Sequence, residues 1–168
     1  LHFYILTFLL IIVMSPVLIL PFWFIKVIAK IWGGILVLGM KIWLGLNFKI
    51  IGNYNKNKPC IIAVKHQSAW ETLALHLIFK DPAIILKREL LRLPILGWFI
   101  SKVGMVPINR SGGGGALKSM IEVAKRWSDS GRPIIIFPQG TRVGVDEKLR
   151  YHPGVFAIYK ALYQSLIH

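Results

Sequence analysis

The sequence predicts an α/β fold, a mainly parallel sheet flanked by helices and preceded by N-terminal membrane helices. Three observations carry that expectation. From residue 60 onward, short apolar runs alternate with stretches of helical periodicity, as in strands joined by crossover helices. Before residue 50 the chain is almost wholly apolar. The 168 residues together are 55% hydrophobic with mean hydropathy +0.59, high for a soluble domain. Polar clusters follow the later apolar runs, at the strand ends where a parallel sheet places its binding site.

Residues 3–25 carry no charge and are long enough to cross a bilayer core, which needs about 20 residues. Pro16 and Pro21 would kink a spanning helix or split it. A secretory leader would show a basic start and a small-residue cleavage site, and neither is legible, so a retained anchor is the favoured reading. In residues 26–47, Lys26, Lys30 and Lys41 fall within about 60° of one another on a helix. Apolar residues fill the rest, which reads as a helix lying on a membrane with its lysines toward headgroups; a second spanning helix is the alternative. Residues 1–49 are therefore expected to be a membrane anchor and interfacial helix, and residues 50–168 an α/β domain.

The domain opens with a polar, turn-rich linker, "GNYNKNKP" (52–59). Strand "CIIAV" (60–64), a helix over about 69–80 and strand "AIIL" (83–86) come next. A mixed segment over 87–103 leads to a short strand at 104–108. A helix over about 116–128 is marked by Leu117, Met120, Ile121, Ala124 and Trp127 at helical spacing. Strand "PIIIF" (133–137), a polar loop and a last helix from near Pro153 complete the order, with "SGGGG" (111–115) expected as a flexible loop.

The formal charge is +14, from 21 basic and 7 acidic residues, a balance that attracts nucleic acid or anionic lipid. The apolar front end favours lipid, and no nucleic-acid partner is expected. Basic residues after the anchor place the remainder on the cytoplasmic side. The single cysteine, Cys60, excludes an intramolecular disulfide and sits in an apolar strand, where it reads as packed. No metal-ligand spacing appears, and no metal is expected.

The stretch "VKHQSAWETL" (64–73) puts His66 five residues before Glu71. On one helix the two would lie about 140° apart, so they meet only if His66 sits on the loop and Glu71 in the first turn. Ser68 and Glu71 form the S-x-x-E of a capping box, which would start the helix at Ser68. Glu71 thus reads either as a cap or as a carboxylate that orients a basic His66, and the two roles are compatible. Arg110 and Arg142 follow strands, and a guanidinium offers paired donors suited to a phosphate. "PQGTR" (138–142) adds a Pro-x-Gly turn and the Thr141 hydroxyl. Two competing motifs fail: "GGGGALKS" (112–119) lacks the glycine before lysine of a phosphate-binding loop, and Ser68 is not in G-x-S-x-G.

Taken together, "HQSAWE" (66–71), "GMVPINR" (104–110) and "FPQGTR" (137–142) resemble, in order and spacing, three blocks of the glycerolipid acyltransferases, most nearly the bacterial 1-acyl-sn-glycerol-3-phosphate acyltransferases. The resemblance covers roughly residues 50–160. It implies a glycerophosphate acyltransferase-like fold in the bacterial inner membrane, and transfer of an acyl group from acyl-CoA or acyl-carrier protein to a lysophosphatidate acceptor, without a cofactor. It further implies that His66 is the base, that Glu71 orients it, that Arg110 and Arg142 hold the acceptor phosphate, and that Gln139, Gly140 and Thr141 line the acceptor site. The backbone around Gly140 is the expected oxyanion binder.

The chain departs from the family pattern at Glu71, where the first block usually ends in Asp, and at Gln139, where the third usually has Glu. The family also carries a further apolar, proline-containing block, so residues 50–168 read as an acyltransferase domain incomplete at its C-terminus. Another lyso-lipid acceptor, or a non-catalytic protein that binds anionic membranes, are the competing expectations.

Overall fold

The structure, a computed structural model, describes residues 20–52, 60–93, 96–109 and 112–164, together with Ile5, Phe8, Leu9 and Ile12. Most of the expected anchor over 3–25 and the linker residues 53–59 lie outside the described residues.

Helix α1, Phe22–Leu44, ends where Gly45 takes a left-handed conformation (φ 66°) and returns its N–H to Lys41 O. Strand β1 (Ile61–Ala63), helix α2 (Trp70–Ile78) and strand β2 (Ala83–Lys87) follow, then a 3-10 helix (Arg88–Arg92) and helix α3 (Leu96–Val103). Strand β3 (Val106–Ile108), helix α4 (Gly113–Asp129), strand β4 (Ile134–Ile136) and helix α5 (Gly154–Gln164) complete the order. The four strands pair in parallel in the order β1-β4-β2-β3, with Ile61 opposite Ile134 and Ala83 on the other side of it. All four C-terminal ends therefore share one rim.

Strand alternation sorts the core into two layers. Ile134 and Ile136 of β4, with Ala83 and Ile85 of β2, pack against Met120 and Ala124 of α4 and Ile158 and Leu162 of α5. Ile135 and Ile84 point the other way, onto Leu75 of α2, with Phe79 and Phe137 beside them. Runs apolar on consecutive residues, such as "III" (134–136) in "PIIIF", are what a sheet covered on both faces requires.

Two expectations change. The helix expected from residue 116 begins at Gly113, so the glycines read as a flexible loop form its first turn. The first N–H groups of a helix have no intrahelical partner in any case, and the amphipathic stretch from Leu117 to Trp127 holds the helix that these glycines extend. The lysine face of α1 also differs. Lys30 and Lys41 are exposed, but Lys26 pairs with Asp81, because it borders the face on which Ile25 and Leu36 are buried. That face packs on α2, with Gly33 close to Leu73 O, and on α3, where Trp32 meets Phe99 edge-on at 6.1 Å. The opposite face exposes Phe24, Val27, Ile31, Ile35, Leu38 and Ile42 at spacings of three and four. Among the described residues, α1 is the one helix long and apolar enough to cross a membrane.

The strand entrances are tied together by Arg132, only 5% exposed. Its Nε donates to Asp81 O, Nη1 to Gly104 O, and Nη2 to Pro82 O and Val103 O, while the guanidinium stands 3.2 Å from the Asp81 carboxylate and over the Trp127 ring. Gly104 is needed there: its φ is +71°, and a Cβ would fall 2.7 Å from Arg132 Nη1.

Arg132→Met should lower the unfolding free energy by about 3–5 kcal/mol, because four carbonyls and a carboxylate lose one shared partner. Denaturant titration in a mild detergent reads this; a loss below about 1 kcal/mol would mean that water replaces the guanidinium.

Candidate active site

His66 follows β1 on the C-terminal rim, and the turn after it begins α2. Ala69 already has helical dihedrals (φ −80°, ψ −17°), and Ser68 Oγ accepts the Trp70 N–H at 3.0 Å. Glu71 reaches back to accept the Ser68 N–H at 2.9 Å and the Ser68 hydroxyl at 2.6 Å. This is a capping box, with Ser68 as the cap residue. The same carboxylate also accepts the Gln67 N–H at 2.8 Å and contacts His66 Nδ1 at 2.6 Å.

That geometry sets the tautomer. Glu71 is ringed by donors and stays ionised, so it can only accept, and Nδ1 must carry the hydrogen. Nε2 is left with a lone pair. The histidine ring stacks on Phe137, the last residue of the apolar run around β4, at 4.3 Å and 29°. His66 O accepts the Val143 N–H at 2.8 Å, which draws the 137–143 loop against it. Both side chains of the pair are largely buried, at 18% and 16% exposed. Burial alone pushes the Glu71 carboxyl up, but the hydrogen bonds from Ser68 and His66 outweigh it and hold the group below the usual carboxylate range.

Of the remaining candidates, Gln139 is buried and its Oε1 has no partner among the described residues. Gly140 sits at φ +68°, but its N–H is already given to Phe137 O at 3.0 Å. It is therefore not the open oxyanion donor that the Pro-x-Gly turn suggested: the turn consumes the N–H. Thr141 and Arg142 are exposed on the rim, next to the Val143 that bonds His66 O. Arg110 lies outside the described residues. Asn109 before it belongs to the β3 end, separated from β4 by β2, so its strand stands about 10 Å from β4. The rim therefore brings the first and third clusters together, while β2 separates the Asn109 end of β3 from β4.

Phe137 and Val143 are site residues that sequence reasoning did not single out. Phe137 opens the "FPQGTR" block, a signal that was present; the Val143 contact has no local signal. His76, a half-buried residue of α2 whose Nδ1 bonds Thr72 O, is not part of the cluster. Burial raises the Cys60 thiol, consistent with a packed side chain.

The lowered Glu71 group makes a pH prediction. Its contribution is fully present above the usual carboxylate range and is lost as pH falls through its folded value. Glu71→Gln should cost about 1–2 kcal/mol at neutral pH, with the gap to the parent chain closing below about pH 4. Unfolding free energies measured across that range check it; parallel curves would show that the carboxylate is not stabilised by its donors.

Residues 46–167 match the sequence model of the acyltransferase family. A 1-acyl-sn-glycerol-3-phosphate acyltransferase of Pseudomonas aeruginosa is 36% identical over 123 residues, covering 70% of this chain and 48% of that protein. One from Saccharomyces cerevisiae is 31% identical over 121 residues, covering 70% and 40%. The crystal structure of the 1-acyl-sn-glycerophosphate (LPA) acyltransferase PlsC from Thermotoga maritima has a TM-score of 0.69 at 20% identity, over 95% of this chain and 67% of that one, a likeness of fold. The chain spans about half the length of the curated relatives it matches. A match that runs from just after α1 through α5 shows that the chain belongs to the acyltransferase family.

Proposed function

We propose that the chain carries the catalytic part of a 1-acyl-sn-glycerol-3-phosphate acyltransferase, which moves an acyl group from a thioester to the free hydroxyl of lysophosphatidate and yields phosphatidic acid. The observation that carries this reading is the His66–Glu71 pair, with Nδ1 held by the carboxylate and Nε2 left as the basic nitrogen. The names of the relatives in Pseudomonas aeruginosa and Saccharomyces cerevisiae support the choice of acceptor.

In the reaction, Nε2 takes the proton of the acceptor hydroxyl as its oxygen attacks the thioester carbonyl. The Glu71 carboxylate stabilises the imidazolium that forms. Collapse of the tetrahedral intermediate breaks the C–S bond, and the imidazolium returns the proton to the leaving thiolate. The products are an ester and a free thiol, so the transfer balances without a cofactor. Acyl-CoA and acyl-carrier protein both supply such a thioester. Arg110 and Arg142 bind the acceptor phosphate, and Gln139, through its unpartnered amide oxygen, accepts a hydrogen bond from an acceptor hydroxyl. A neutral amide at this position also leaves room for a different lyso-lipid. The site works at the cytoplasmic face of the bacterial inner membrane, where the lipid acceptor and product reside and where the exposed apolar face of α1 finds a partner.

CoA release from oleoyl-CoA, measured with and without lysophosphatidate, tests the reading. His66→Ala should reduce acceptor-dependent release about 10²–10⁴-fold, and Glu71→Gln should reduce kcat by at least about tenfold while the protein stays folded. Release that ignores both substitutions would overturn the assignment. Release with lysophosphatidylethanolamine but not lysophosphatidate would move it to another acceptor.

A further inference from the structure

The loop between β4 and α5 wraps the end of β1, and it is closed there by a residue that the proposed reaction does not use. At the base of the loop His152 N–H bonds Pro138 O at 2.8 Å, and Gly140 N–H bonds Phe137 O at 3.0 Å. Phe137 stacks on the His66 ring, and the buried Val143 gives its N–H to His66 O. Beyond Val143 the chain runs outward, and residues 144–151 are all exposed. Gly144 and Glu147 close a turn on themselves. The Gly144 N–H donates to the Glu147 carboxylate at 2.8 Å, and the Glu147 N–H to Gly144 O at 3.3 Å. Among the described residues, a single hydrogen bond ties residues 144–151 to the rest of the fold. It runs from Lys65 Nζ to Val145 O at 2.5 Å.

Lys65 immediately precedes His66, and the two side chains leave the chain on opposite sides. Ile62 and Val64 pack with Phe137 on the α2 side of the sheet, and Ile61 packs on the other. The same alternation lays the His66 ring on Phe137 and turns Lys65 away from it, so the loop grips the end of β1 from both sides. Arg142 lies on this loop, two residues after the Gly140 turn and directly before Val143. Its entry is fixed by that turn, and its exit by the Val143 anchor and the 144–147 turn that Lys65 holds. We propose that Lys65 is a positioning residue: its ammonium latches the 144–147 turn to β1 and so keeps the Arg142 guanidinium in place for the acceptor phosphate. This rests on the reading of Arg142 as a phosphate ligand in the proposed acyl transfer. A charged donor on a backbone carbonyl makes one of the stronger hydrogen bonds, but this ammonium is exposed, and water competes for both partners. Lys65 therefore governs how often the loop is closed, not whether the domain folds.

The test uses the full chain in a mild detergent. Lys65→Met keeps the length of the side chain and removes the donor, and Lys65→Arg restores a charged one. Trypsin cleavage after Lys148 and Arg150 reads loop opening without turnover. Lys65→Met should speed that cleavage about fivefold, the scale of one partly exposed charged hydrogen bond. Lys65→Arg should return it close to the parent rate, and neither variant should move global unfolding. In CoA release, Lys65→Met should raise KM for lysophosphatidate about fivefold and leave kcat within about twofold. On an Arg142→Gln background the same change should add less than about twofold, because the latch acts through Arg142. Three results overturn the proposal. Cleavage at the parent rate in Lys65→Met, or equally fast in Lys65→Met and Lys65→Arg, would show that a charged donor at residue 65 does not close the loop. KM effects that multiply in the double variant would make Lys65 a phosphate ligand in its own right. A fall in kcat at unchanged KM would place its action on His66. If no chain releases CoA with any acceptor, the acyltransferase reading fails, while the cleavage rates still decide the latch.

Discussion

The site depends on one carboxylate with more donors than a helix cap requires. Glu71 accepts the backbone N–H groups of Gln67 and Ser68, the Ser68 hydroxyl and the His66 ring. The first three start α2; the fourth orients the His66 imidazole, the proposed base. One carboxylate therefore caps the helix and holds the histidine, so the two readings of Glu71 are compatible in the loop geometry. Partial burial alone would favour the neutral acid, but the ring of donors keeps the group charged.

Stability and chemistry occupy opposite edges of the sheet. Arg132 immediately precedes the Pro133–β4 entrance, and its acceptors are the carbonyls of Asp81 and Pro82 before β2 and of Val103 and Gly104 before β3. Three strand entrances thus share one guanidinium, and Lys26 joins α1 to them through Asp81. Asp81 itself sits at φ 51°, a backbone region that Asp tolerates better than most residues, and this turns the chain sharply from α2 into β2. Because this edge is held so fully, the opposite rim is free to carry loops with exposed basic and apolar side chains.

Helix α1 divides its circumference three ways. One face is buried against α2 and α3, one carries Lys30 and Lys41, and one exposes an apolar stripe. A helix that simply crossed a bilayer alone would have no reason to bury Ile25 and Leu36 against a polar-rimmed domain. The arrangement instead makes α1 part of the domain's own packing, while its outer stripe stays exposed and apolar.

The sequence by itself determined what short-range physics controls: the order of strands and helices outside the mixed segment 87–103, from short apolar runs and helical periodicity, and the capping box, from the spacing of Ser68 and Glu71. The Glu71–His66 contact was legible too, because five residues of chain leave few ways for a loop histidine to meet a first-turn carboxylate. Tertiary structure decided the rest. His66 stacks on Phe137 across 71 positions of chain only because β1 pairs with β4, and no local pattern announces that order. The same pairing brings Val143 to His66, and the insertion of β2 between β4 and β3 keeps Asn109 apart from both. Lys26 looked like a headgroup ligand from its helical angle, yet Asp81 lies 55 residues away in sequence and within reach in space. Contacts at that range depend on how helices and strands stack, which propensity and spacing do not encode.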